Sequence, residues 1–444
     1  MQAYRSSIKA MVVAVGLLPA TVMAGAAYIY ELCNVMSLKR TTITTFVAAI
    51  ALTPAWALAG AAYIYEMSSV SETGYGGAGM VARANDAGTV FSNPAGMTRF
   101  DSPELMAGGS LTYISSRFNA NENTTVENSN NSVGVPIPAG SAAYIRPMSD
   151  RLKLGISMQN YFGLALDWND QWAGRYSAVS VALVAPQVQP TVAYKVNDWL
   201  SVGAGAALTL GYLSDKMRVD PDDPRRPDGK LSISDSDFAV QGNFGLMLQP
   251  SANTRFGIRY LTETNLDFQD APDVSGLAIP NPNTENIDLG LKMPQSLMAA
   301  VHHQWNDDLA LLGSVGWDEW SAFSKIQVGL RDGSIEATED ADFRDTWHFG
   351  VGAEYQYAPK FMLTSGFSYD TSMSSDRTRP ISLPLGTMYR YAVGFKYRAS
   401  DNLTYGGGFS WLWQGNLPVK DTGDASGHYH KTSISFLSFY AMWD

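Results

Sequence analysis

Between Leu200 and Tyr212 every second residue faces the same way. Leu200, Val202, Ala204, Ala206, Leu208, Leu210 and Tyr212 share one face, and Ser201, Gly203, Gly205, Ala207, Thr209 and Gly211 share the other. A repeat of two is the side-chain period of a β-strand and not of a helix. The preceding run sets Val192, Tyr194 and Val196 against Thr191, Ala193 and Lys195, and only Asn197-Asp198-Trp199 intervenes, so the two runs read as a hairpin. The plan recurs. Phe349, Val351, Ala353, Tyr355 and Tyr357 pass through Ala358-Pro359-Lys360 into Phe361, Leu363, Ser365, Phe367 and Tyr369. Tyr389, Tyr391, Val393, Phe395 and Tyr397 pass through Ser400-Asp401-Asn402 into Leu403, Tyr405, Gly407, Phe409, Trp411 and Trp413. Arg390, Lys396 and Arg398 stay on the alternate face of their strand.

Followed along the chain, this pattern predicts about fourteen strands, an even number as bacterial barrels require. Short turns fall near 148–151, 197, 249–253, 305–308, 358 and 400. Long connections rich in Asn, Asp, Pro and Gly fall near 118–139, 163–186, 214–236, 266–293, 323–343, 371–387 and 415–429, in strict alternation with the turns. A soluble β-protein has no reason to sort its loops by length onto one rim, whereas a membrane barrel has short periplasmic turns and long outer loops. The 40 Gly, 22 Tyr, 18 Phe and 11 Trp suit short strands with interfacial aromatic belts. The expected fold class is all-β, a 14-stranded antiparallel transmembrane β-barrel over residues 105–444, plugged by an N-terminal segment.

Two export signals stand at the front. Met36-Ser-Leu-Lys39-Arg40, the apolar Phe46 to Leu58 and the small-x-small Ala57-Leu58-Ala59 are the three parts of a secretory signal, with cleavage expected after Ala59. Residues 1–35 repeat the plan, and AGAAYIYE occurs at both Ala24–Glu31 and Ala59–Glu66, so residues 1–35 read as a duplicated signal-like segment and 36–59 as the signal peptide. Met36 is favoured over Met1 as the true start. No apolar run of about 18 residues follows that would hold the chain in the inner membrane as a helix. The net charge of −11 argues against a nucleic-acid partner. The lone Cys33 lies ahead of the cleavage site, and the five His form no metal-ligand spacing, so no cofactor, metal or disulfide is expected.

Residues 60–104 precede the first convincing strand and are broken by Gly74, Gly76, Gly77, Gly79, Gly88, Pro94, Gly96 and Pro103. A barrel of about fourteen strands is wider than side chains alone fill, so this compact segment reads as a plug. Gly74-x-Gly76-x-x-Gly79 has dinucleotide-fingerprint spacing but neither follows a strand nor opens a helix, so it is set aside. The segment Gly79 to Phe100, with Asn85-Asp86-Ala87-Gly88 and Asn93-Pro94-Ala95-Gly96, resembles the N-terminal hatch of the FadL family. Asn160-Tyr-Phe-Gly-Leu-Ala-Leu-Asp-Trp-Asn-Asp170 is similar to that family's third strand and following loop, and Gly366 to Asp370 through Arg377, Pro380, Leu383-Pro384 and Tyr389-Arg390-Tyr391 is a third match. The resemblance spans nearly the whole chain beyond the signals. It implies an outer-membrane transporter of long-chain fatty acids or other hydrophobic compounds, with passive uptake, a pocket above the hatch and lateral release beside a kinked third strand, here near Gly163.

Asp370, Arg377, Arg379 and Arg390 are candidates to grip a carboxylate headgroup, lumen electrostatics or loop anchoring being the alternative. Phe162, Leu164, Leu166, Trp168 and Trp172 are candidates to line the groove and pocket, with lipid-facing packing as the alternative. No catalytic residue is assigned: His428, His430, Ser433 and Ser435 lack a placed orienting acid. The expected partners are a hydrophobic small molecule, outer-membrane lipids and lipopolysaccharide, around a monomer. The competing readings are a general porin for small hydrophilic solutes, an aromatic-hydrocarbon channel of the same family, and a surface receptor acting through the loops.

Overall fold

The computed structural model describes residues 63–444 except 123, 125–131, 134–135, 220–224, 226, 272, 277–286, 331–335 and 423–424. The expected signal segments, 1–35 and 36–59, lie outside the described residues. Fourteen long strands form the wall: β1 Glu104–Ala120, β2 Pro136–Pro147, β3 Leu152–Asp167, β4 Ser180–Lys195, β5 Leu200–Val219, β6 Gly229–Leu248, β7 Thr254–Leu261, β8 Ser296–Gln304, β9 Leu309–Asp318, β10 Thr346–Ala358, β11 Phe361–Asp370, β12 Met388–Ser400, β13 Leu403–Thr422 and β14 Ala425–Trp443. Each pairs antiparallel with its sequence neighbours, and β14 returns to β1, from Leu105↔Trp443 to Ala120↔Gly427, closing the barrel.

The wall is apolar outside and polar within. Along β5, Val202, Ala206 and Leu208 are exposed while Ser201, Ala207 and Thr209 are buried, so the apolar face found in the sequence is the outer one. Phe238, Val240 and Val351 are each 60% exposed or more, whereas Gln187, Gln189, Gln241, Asn243 and Ser438 are wholly buried. A soluble core would invert this pattern; hydrocarbon outside the wall explains it.

One rim consists of tight turns that small polar side chains close. The Asn197 Oδ1 accepts from the amides of Trp199 and Leu200, at 3.0 and 2.8 Å, and Asn306 does the same for Asp308 and Leu309, at 3.0 and 2.9 Å. These side chains mimic a backbone turn and fix the hairpin register. At the other rim the strands run further than the sequence indicated. The ladder continues through Val219 and from Gly229, so most of the expected 214–236 loop is strand, as is nearly all of 415–429. The expected loops 266–293 and 323–343 carry a separate four-stranded sheet, Thr264–Asp270, Ile287–Met293, Lys325–Leu330 and Glu336–Asp340. Beyond the lipid the outward face gains polar residues, and the pattern that marks a strand is lost although backbone pairing persists.

Residues 63–103 lie inside the ring. They form the one-turn helices Tyr65–Ser68 and Thr89–Ser92 and the 3-10 turns Val70–Gly74 and Pro94–Arg99. Strand glycines make room for them: a Cβ on Gly257 would strike the Val81 carbonyl, one on Gly366 the Tyr75 carbonyl, and one on Gly203 the backbone of Pro94 and Ala95. Asn93 explains its motif. Its Oδ1 caps the turn from the Ala95 amide at 3.1 Å, Pro94 supplies the preset first helical φ, and its Nδ2 donates to the carbonyls of Val81, at 2.6 Å, and Leu246, at 3.1 Å.

Buried charge holds this segment to the wall. Lys396 of β12 reaches Asp86 at 3.1 Å and Asn85 at 3.2 Å. Glu354 of β10 accepts from Tyr75 at 2.8 Å and meets His302 at 3.1 Å, and Glu72 pairs with Arg83. Burial opposes ionisation of Asp86, yet Lys396 and Arg83 outweigh it and hold the carboxyl below the ordinary range. Its contribution to stability is therefore complete above the ordinary carboxylate pKa of about 4 and is lost as pH falls through its lower folded value. Lys396→Met should cost about 3 to 5 kcal/mol at neutral pH, because it strands a buried carboxylate, and should blunt the loss of stability below about pH 4. Unfolding temperatures in detergent at pH 3 and pH 7, for wild type and variant, check both.

Candidate functional site

The site forms where the inner segment, the outer ends of β9 to β12 and the 371–387 loop converge. Tyr63 and Tyr65 come from the inner segment, Asp318 ends β9, Trp320 opens the one-turn helix Trp320–Phe323, and Asp370, Met373, Leu385, Met388 and Arg390 close the circle. They enclose a cavity of about 30 Å³. That volume suits a water molecule and not an acyl chain, so a larger guest must displace side chains.

Beside the cavity an apolar cluster continues inward through Tyr63, Phe162, Trp320, Tyr161 and Phe91. Tyr63 stacks on Tyr161 with centroids 4.7 Å apart, Phe162 stacks on Trp320 at 6.2 Å, and Phe91 meets Tyr161 edge-on at 5.0 Å. The charged wall of the cavity is self-compensating. Arg390 lies 3.4 Å from Asp370 and 3.8 Å from Glu66, with Tyr65 4.4 Å from the guanidinium carbon. Asp370 also meets His348 at 2.9 Å, and Ser410 donates to Glu66 at 2.8 Å.

Of the four polar residues singled out in the sequence, Asp370 and Arg390 line the cavity. Arg379 serves its own loop, donating to the carbonyls of Leu385, at 2.9 Å, and Pro418 and to Asp376 at 3.0 Å, while Arg377 is exposed. Phe162 and Leu166 are buried and not lipid-facing; the Leu164 side chain lies outside the described residues. Trp168 and Trp172 stack at 4.5 Å in the loop after β3, and Trp172 packs on Phe118 of β1 and donates to the Ala178 carbonyl at 2.7 Å. They consolidate an outer loop away from the cavity.

The wall changes beside Phe162. Gln159 pairs with Gln187 and Phe162 with Ala185, so Asn160 and Tyr161 of β3 stand opposite the single residue Pro186. Proline has no amide to give the ladder, and an extra residue opposite it is a β-bulge. Tyr161 and Phe162, neighbours in the chain, are consequently both buried. Gly163 follows the bulge, in register with Val184 and with ordinary space for a Cβ. On its other edge β3 pairs with β2 only from Pro147↔Lys153 to Ala142↔Met158, whereas β2 continues to pair with β1 out to Pro136. Pro136 and Pro138 lie on this unpaired stretch, and the inner segment takes up part of the freed edge, the Ile64 amide donating to the Tyr161 carbonyl at 3.0 Å. The sequence places Tyr161 in the third-strand match without a role and gives none to Tyr63 or Pro186; a proline inside an otherwise regular strand is the signal that marks the bulge.

A family profile described as outer membrane protein transport protein (OMPP1/FadL/TodX) matches residues 50–438. The chain belongs to this family. Among curated relatives, outer membrane protein P1 of Haemophilus influenzae is 25% identical over 83% of this chain and 90% of its own length. The long-chain fatty acid transport protein of Escherichia coli O6:H1 is 24% identical over 76% of this chain and 83% of its own length. A solved Pseudomonas aeruginosa FadL homologue superposes with a TM-score of 0.77 at 19% identity, covering 86% of this chain and all of that one. The FadL/TodX family comprises outer-membrane transporters of long-chain fatty acids and aromatic hydrocarbons, and outer-membrane localisation follows for this chain.

If Arg390 is held as described, Arg390→Met strands two buried carboxylates and should cost about 3 to 5 kcal/mol, whereas Arg377→Met, on the surface, should stay within about 0.5 kcal/mol. Thermal unfolding of the two purified variants distinguishes them.

Proposed function

We propose that this protein takes up hydrophobic compounds passively, through the cavity above a fixed hatch formed by residues 63–103, and releases them sideways through the seam between β2 and β3. The observation that carries this reading is the coincidence of three features at one point: the bulge at Asn160–Tyr161, the end of β2–β3 pairing at Ala142↔Met158, and the apolar cluster that joins both to the cavity.

Two physical arguments support it. An apolar solute gains nothing from an aqueous pore and is most stable returned to hydrocarbon. Backbone groups at membrane depth are left unpaired only where protein covers them or a cavity borders them. The pairing stops about five residues from the turn, roughly 16 Å along the strand at about 3.3 Å per residue, inside an apolar band about 25 Å tall. The open stretch therefore meets lipid tails. The hatch is tied by buried ion pairs to β12 and by buried hydrogen bonds to Glu354 of β10, and leaves no reason for the segment to move as a whole. Phe162 lines the route, and Gly163 keeps the strand slim beside the gap.

The test is uptake of labelled oleate, toluene and a small sugar into cells with and without the protein, at matched outer-membrane levels. Faster oleate or toluene uptake with unchanged sugar uptake is expected; faster sugar uptake alone would make the protein a porin. Gly163→Trp should slow hydrophobic uptake while the folded barrel persists, and unchanged uptake in that variant would overturn the position of the exit.

A further inference from the structure

The outward face where β13, β14 and β1 meet changes character part-way up the wall. In its lower part the exposed side chains are apolar or aromatic: Leu437 and Phe439 of β14, Tyr113 of β1, and Trp411 and Trp413 of β13. Ser433 of β14 pairs with Ser115 on one side and Trp413 on the other, and above that rung the wall turns basic. Arg117 pairs with His430, and His428 pairs with both Asn119 and Pro418. Arg117, Lys420, His428 and Lys431 are exposed, and His430 is half-buried. Among the described residues no carboxylate lies within ion-pair distance of Arg117, Lys420 or Lys431. In a chain of net charge −11, so local a group of cations departs from the overall field.

The backbone is bent to present this face. Tyr429 and Thr432 of β14 are both buried, so His430 and Lys431 between them both turn outward. From Ser115 to Arg117 β1 advances two residues while β14 advances three, from Ser433 to His430, and β13 shows the same mismatch from Gly415 to Leu417 against Thr432 to Tyr429. The extra residue on β14 is a β-bulge, which re-aims side chains. Lys431 adopts a φ of 54°, a left-handed conformation uncommon for a long side chain, and its amide donates to the Asn416 Oδ1 at 3.2 Å. Height identifies what meets the cations. Leu105, near the short-turn rim, and Arg117 are twelve residues apart on β1, roughly 40 Å of strand at about 3.3 Å per residue and roughly 30 Å of height at a tilt of about 40°. The apolar band of a barrel is about 25 Å tall, so the cations stand just above it, at the level of the outer-leaflet headgroups. We infer that this face binds a phosphate-bearing glycolipid of the outer leaflet, of the lipid A type. Its acyl chains lie on the aromatic and apolar belt, and Arg117 and Lys431 hold a phosphate to which His428 and His430 add donors. A free phosphate would leave the belt without a use, and an uncharged lipid would leave the cations without one. None of these residues lines the cavity, so the inference stands apart from the transport reading.

The experiment measures binding of lipid A and of dephosphorylated lipid A, which share acyl chains and differ in charge, to the whole protein in detergent by native mass spectrometry. The wild type should prefer lipid A by about 10-fold or more, the worth of two basic side chains at a charged surface, and excess inorganic phosphate should not displace it. Arg117→Gln combined with Lys431→Asn, the latter suited to a positive φ, should abolish the preference. Arg151→Gln combined with Lys360→Gln, which removes the same charge from exposed positions at the short-turn rim, should leave it intact. Folding is read from the heat-induced shift in gel mobility. Equal binding of the two lipids by the wild type, displacement of lipid A by inorganic phosphate, retention of the preference in the first double variant, or its equal loss in both would overturn the inference.

Discussion

In hydrocarbon, every backbone amide and carbonyl must find a partner within the protein. That constraint closes the sheet on itself and joins β14 to β1, and it turns the apolar faces outward. It also gives meaning to the place where pairing lapses. Between β2 and β3 the ladder stops part-way up the wall, where Pro136 and Pro138 stand on one side and the bulge opposite Pro186 on the other. A sheet that left such groups against lipid without cause would lose several kcal/mol per group. The lapse coincides instead with an apolar cluster that reaches into the barrel, the basis of the proposal of lateral release.

The interior divides into two kinds of contact. Where the inner segment is held to the wall, its bonds are buried and each involves a charged side chain: Lys396 to Asp86, the Glu354 carboxylate to the Tyr75 hydroxyl, Arg255 to two successive carbonyls. Along the proposed route the contacts are aromatic and apolar: Tyr63 on Tyr161, Phe162 on Trp320. Stacked rings can slide or turn at modest cost, whereas parting a buried ion pair strands a charge. The walls of the small cavity that can yield are then the aromatic ones.

The period of two in β5, β10 and β12 made the barrel legible, because one face of each strand meets lipid and must be apolar there. The short turns were legible for a related reason, since Asn197 and Asn306 close them locally. The outer reaches of β5 and β6 were not. Ser232, Ser234, Asp235 and Ser236 lie on paired strand but show no apolar face, so they read as loop. Among site residues, Asp370 and Arg390 were found because charge on an inward face stands out. Arg379 carries the same charge but closes its own loop, a distinction made by Leu385 and Pro418 and invisible to local pattern.

The most direct test of lateral release is to load the protein in outer-membrane vesicles with an oleate analogue bearing a photoreactive diazirine in the tail, irradiate it, and map the labelled peptides by mass spectrometry. Label on both banks of the seam, in residues 136–142 of β2 and 158–163 of β3, is the predicted result. Label confined to the inner segment near Asn93 to Phe100 and the adjoining turns, with none at the seam, would mean that the substrate passes straight through the barrel and would contradict the account.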